Sequence, residues 1–166
     1  KFKKVEAPAG LPTLKELLSI KGKPMSPRKQ EKLFQPDYSE QLLRIAQGDL
    51  ESARAIASYT SARIENAFYM LQQAIEKSIK AVLVYHQIPV PLVHDLGILI
   101  AKIPSELPAP PHGYELSELN QFASERRYQE GDAVFTQVEF HSLEEIAVSM
   151  LEWAKSSTKS EKGVLG

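Results

Sequence analysis

The chain has no cysteine among its 166 residues. That excludes a disulfide framework, a thiol nucleophile and any zinc site built on Cys, and makes a cytoplasmic setting the expectation. No apolar run approaches the roughly 20 residues that cross a bilayer, so no membrane segment is expected. The basic start, Lys1-Phe2-Lys3-Lys4-Val5, is not followed by an apolar stretch and is not a secretory signal. The chain opens on Lys1 rather than Met, as a trimmed fragment would. Also missing are a Gly-rich phosphate loop with its lysine, a His-Glu-x-x-His pair and a Gly-x-Ser-x-Gly elbow. The four histidines, His86, His94, His112 and His141, are scattered, so neither a metal site nor a cofactor is expected.

What is present is an ordinary globular composition, 43% hydrophobic and 25% charged, in a length suited to one domain. The formal charge of -1 is unevenly spread. Residues 1–35 carry nine basic and three acidic side chains, a net of +6, which leaves eleven basic and eighteen acidic, a net of -7, for the rest. So acidic a body is a poor platform for nucleic acid, because phosphate binding depends on Lys and Arg. RNA contact is expected only through the basic leader, which otherwise reads as a solvated arm.

Prolines 8, 12, 24, 27 and 36 keep residues 1–36 from forming long regular elements. One short helix is expected there, where Thr13 and Glu16 make a capping-box pattern before Leu17 and Leu18. From Asp37 to about residue 156 helical periodicity takes over, and residues 157–166 read as a polar tail. The first helix carries Leu42, Ile45, Ala46, Ala53, Ile56 and Ala57 on its apolar stripe. The second, about Ser61 to His86, is apolar around most of its girth and belongs at the centre of a bundle. A third runs from about Val93 to Ile103, with Leu96, Leu99, Ile100 and Ile103 inward. A fourth spans about Leu116 to Arg126. The last starts at Thr136, where Glu139 completes a capping box, and buries Phe140, Leu143, Ala147, Met150 and Ala154. Only Ala133-Val134-Phe135-Thr136 hints at a strand. The fold class is therefore all-α, an up-and-down bundle of four to five helices.

Three polar constellations stand out. On the second helix Tyr69, Gln73, Glu76 and Lys80 share a strip, with Glu76 four residues before Lys80 in the favourable orientation for a pair. It reads either as a solvated strip or as a place where Lys77 or Lys80 meets a phosphate. His94-Asp95 opens the third helix, where the dipole suits anions but Asp95 can satisfy it alone. Arg126-Arg127-Tyr128 closes the fourth helix; one Arg can complement the dipole, while the other clamps a phosphate and Tyr128 offers a ring for stacking.

In this order, Gln73-x-x-Glu76-Lys77-x-x-Lys80-Ala81, then His94-Asp95-Leu96, then Arg127-Tyr128 ahead of a final amphipathic helix, the motifs resemble the HEPN family over about Gln41 to Lys155. Asp49 in the first helix fits as well. The resemblance implies a small helical bundle of prokaryotic type, usually a homodimer, with polar residues grouped near its centre or interface. One class of the family consists of metal-independent ribonucleases, often toxins of toxin–antitoxin pairs, in which Arg is followed after four to six residues by His. The other binds nucleotides or a nucleotidyltransferase partner. Here those positions after Arg127 fall on Asp132, Ala133 and Val134, and the first downstream histidine is His141. The leading expectation is therefore a homodimeric module binding a nucleotide of the ATP or GTP class, or docking a nucleotidyltransferase-type partner. Its expected phosphate contacts are Lys77, Lys80, His94, Arg127 and Tyr128, supported by Asp49, Gln73, Glu76 and Asp95. Two alternatives stay open: a ribonuclease with His94 or His141 in the histidine role, and a structural dimerisation domain without a ligand.

Overall fold

Regular structure follows where the proline density falls. The computed structural model describes residues 30–59, 62–116 and 136–159. Within them lie β1 (Glu31–Lys32), α1 (Tyr38–Ser58), α2 (Ile64–Tyr85), β2 (Val90–Pro91), α3 (Leu96–Ile100) and α4 (Gln137–Ser157). Residues 113–116 are also helical. The expected short helix near Thr13, most of the fourth helix and the Ala133–Phe135 stretch lie outside the described residues.

The fold is an all-α bundle with α2 at its centre, packed against α1 on one side and α4 on another. Helix α1 buries Leu42, Ala46, Leu50 and Ala53, spaced by four, four and three residues as one helical face requires. Ile45, expected on that face, is instead 42% exposed, because the stripe runs through Leu50 rather than through Ile45. Helix α2 buries twelve residues around much of its girth, in keeping with a central position. Helix α4 buries Phe140, Leu143, Ala147, Met150, Leu151 and Ala154, and its Phe140 meets Phe68 of α2 edge-on at 6.0 Å. The capping box at its start is complete: Thr136 accepts from the Glu139 amide, and Glu139 accepts from the Thr136 amide at 2.8 Å. The ends of α2 and α4 meet where the His86 Nε2 lies 3.0 Å from the Ser157 carbonyl, and the start of α1 lies beside both. Helix α1 therefore runs against the other two, as in an up-and-down bundle.

Two departures from the sequence reading bear on the site. Helix α3 is five residues rather than eleven: Asp95 caps it by accepting from the Ile98 amide, and tight turns closed at Lys102 and Ile103 lead to Pro104. Residues 30–36 do not project as an arm. Glu31 pairs with Pro91 and Lys32 with Val90 in an antiparallel ladder, the Leu92 amide donates to the Gln30 carbonyl at 2.8 Å, and Lys102 pairs with Glu31 at 2.6 Å. A ladder this short carries no alternation, and Pro91 fits because both strands are edges. The chain reaches β2 through a Schellman ending of α2. The Ile88 amide donates to the Leu83 carbonyl and the Gln87 amide to that of Val84, with Gln87 at φ 56°. Gln87 then donates its side-chain amide to the Phe34 carbonyl at 3.0 Å, tying the N-terminal segment to that corner.

Among the described residues, no helix is long and apolar enough to cross a membrane.

Candidate functional site

Glu76 lies on the polar strip of α2, yet it is completely buried. An isolated carboxylate cannot be kept ionised in such a place; it must be paired or it takes up a proton. It is paired from several directions. Lys80, one turn on, donates to Oε1 at 2.7 Å, and Lys77 approaches the same oxygen at 3.6 Å. The His94 Nδ1, delivered by the segment between β2 and α3, lies 3.1 Å from Oε2 and 3.3 Å from Oε1. Gln73, one turn back, places its amide nitrogen 3.5 Å from Oε2 and accepts from Lys77 at 2.9 Å.

The electrostatics follow from that geometry. Burial pushes the Glu76 carboxyl up, but Lys80, Lys77 and His94 outweigh it and hold the group below the usual carboxylate range. An ionised carboxylate only accepts, so the His94 Nδ1 carries the proton and its Nε2 is left for other partners. The His94 side chain is 82% exposed, against 21% for Lys77 and 15% for Lys80. Asp49 of α1 belongs to the same field. Burial raises its carboxyl, Lys77 opposes the rise and Glu76 adds to it.

Beside the cluster lies a recess of about 120 Å³, bounded by Lys77 and Lys80 of α2, Phe34 and Tyr38 ahead of and at the start of α1, and Val90 and Leu92 at β2. Phe34 and Tyr38 stack with ring centres 5.1 Å apart and planes 17° from parallel. A larger cavity of about 490 Å³ sits elsewhere, at the start of α1. Asp37, Glu40 and Glu152 on its wall offset Lys155 and Lys159, so it has no marked charge of one sign.

The structure thus brings together five of the expected residues, Gln73, Glu76, Lys77, Lys80 and His94, and places Asp49 within their electrostatic reach. Asp95 is exposed and its side chain caps α3. Arg126, Arg127 and Tyr128 lie outside the described residues. The solvated-strip reading does not hold for Glu76, which is the hub of the cluster. Its neighbours at -3, +1 and +4 were visible in the sequence, but not the cover that removes it from water. The Phe34–Tyr38 wall was missed altogether, because it depends on the β1–β2 ladder.

His141 joins a different group. With its Nδ1 3.3 Å from Glu144, it shares that carboxylate with Arg54 of α1, and the Arg54 and His141 hydrogen bonds keep Glu144 below its ordinary range. Among the described residues no three His, Asp or Glu side chains form a metal-binding set.

The profile of the HEPN domain family matches residues 39–157. No curated protein and no solved structure matches the chain. The matched segment runs from the start of α1 to the end of α4 and includes the whole Glu76 cluster. With more than two thirds of its length inside that match, the chain belongs to the HEPN family.

Proposed function

We propose that this HEPN domain is a binding module that recognises the phosphates of a nucleotide of the ATP or GTP class, working as a homodimer. The observation that carries this reading is the convergence of Lys77, Lys80 and His94, from two separate elements, on the single buried carboxylate of Glu76. Lys80 is committed to that carboxylate. Lys77 makes its short bond to the neutral Gln73 amide and is the cation available to an incoming anion, while the exposed His94 ring offers a further polar contact beside it. Glu76 acts as the fixed counter-charge that holds them in place. Arg127, assigned from the sequence motif alone, adds a clamp of the kind that binds phosphate bidentately. A nucleotidyltransferase-type protein carrying its own nucleotide would meet the same cations.

The test is thermal. ATP or GTP raises the melting temperature of the wild type, and the increment is lost in Lys77→Gln and in Arg127→Ala. An unchanged melting temperature with every nucleotide removes the ligand reading and leaves partner docking.

One observation favours a second reading, ribonuclease activity. A histidine whose Nδ1 is held by a buried carboxylate while its other nitrogen faces solvent has the arrangement of a general base. Cleavage of single-stranded RNA in EDTA, abolished by His94→Ala, supports it; absence of cleavage at high protein concentration ends it.

A further inference from the structure

The recess beside the Glu76 cluster has two unlike sides. Lys77 and Lys80 bound it on α2, while Phe34, Tyr38, Val90 and Leu92 give it an apolar and aromatic wall. Its volume, about 120 Å³, is well below the roughly 300–1,000 Å³ of sites that enclose a whole drug-sized ligand. It suits one flat ring system, with the rest of the molecule lying outside across the cations.

The wall is held firmly. The ladder of β1 on β2, the Lys102–Glu31 pair and the Gln87 bond to the Phe34 carbonyl fix the segment that carries Phe34. The Lys32 ammonium lies over the Phe34 ring, 4.8 Å from its centre. Leu92, 52% exposed, and Leu33, 59% exposed, flank the entrance strands. An aromatic wall beside a row of lysines is the combination on which nucleic-acid bases stack while their phosphates are neutralised.

We propose that the segment Gln30–Tyr38, ahead of the family-matched residues, supplies the seat for the base of the nucleotide whose phosphates Lys77 and His94 contact. This rests on the phosphate reading above and adds its specificity element: the ligand is a free nucleotide with an aromatic base, not a bare polyphosphate. The N-terminal segment is then part of the site.

The experiment compares ATP with inorganic tripolyphosphate, by calorimetric titration of the full chain and of Phe34→Leu, Tyr38→Leu and Phe34→Tyr. Far-UV circular dichroism checks each fold. The seat predicts that the wild type prefers ATP by about tenfold, the order of one base–aromatic stack. In Phe34→Leu or Tyr38→Leu, whichever keeps the wild-type fold, the preference falls towards one, whereas Phe34→Tyr retains it. Equal affinity of the wild type for ATP and tripolyphosphate, or an undiminished preference in both leucine variants, overturns the seat and leaves the phosphate reading standing. Failure of the wild type to bind either ligand overturns the phosphate reading and the seat with it.

Discussion

Replacing Lys80 with Ala removes the shortest partner of a carboxylate that has no contact with water. Breaking a buried pair by deleting one member costs about 3–5 kcal/mol, because the remaining charge is stranded. Here Glu76 keeps Lys77 at 3.6 Å and His94 at 3.1 Å, and Lys80 is itself 15% exposed, so the loss should lie near or just below the lower end. About 2–3 kcal/mol is expected, or on the order of 10 °C in melting temperature for a domain of this size. Circular dichroism during heating, together with urea titration at neutral pH, measures it. The dependence on pH is the sharper readout. In the wild type the Glu76 carboxyl lies below its ordinary 4.5, so its contribution is fully present above that value and is lost as the pH falls through the folded value. In Lys80→Ala burial acts with less opposition and the folded carboxyl rises, so acidification costs this variant less than the wild type. The pair Glu76→Met with Lys80→Met should recover much of the loss, since apolar residues of similar volume replace buried ion pairs well. A Lys80→Ala variant within about 0.5 kcal/mol of the wild type, with an unchanged acid profile, would refute the account of Glu76 as a hub.

Two further expectations concern the frame that carries the site. Thr136→Ala removes the side-chain half of the α4 capping box, leaving the Thr136 amide bonded to Glu139, and should cost about 1 kcal/mol, read by urea denaturation, while Thr136→Ser should cost much less. Ile75→Ala, next to Glu76 but fully buried in the core, should cost about 2–5 kcal/mol, whereas Ile45→Ala, at 42% exposure, should stay within about 1 kcal/mol. Equal losses at these two positions would contradict the placement of the α1 face.

Some of these features are written locally and others are not. The α4 start is encoded within four residues, so Thr136 and Glu139 disclose it without knowledge of the fold. The apolar girth of α2 likewise announces a central helix, because no exposed helix is tolerated with that composition. The burial of Glu76 is different in kind. On a helical projection it shares a strip with Tyr69, Gln73 and Lys80, and only the packing of other segments over that strip takes it out of water. His94 lies eighteen residues from Glu76, and its approach depends on the Schellman turn at Gln87 and on β2. The β1–β2 ladder has two residues per strand, too few for a period, and one of them is a proline. Periodicity misjudged Ile45 because Leu42, Ala46, Leu50 and Ala53 already complete the buried face and leave it at the margin.

The proposed function stands or falls on phosphate binding by the side chains gathered around Glu76. Calorimetric titration of ATP into the wild type and into Lys77→Gln, at low and at physiological salt, measures it. Binding to the wild type should be saturable, weaken as salt rises and be lost in the variant. Absence of binding to the wild type at millimolar ATP, or equal binding by Lys77→Gln, would contradict the proposed function.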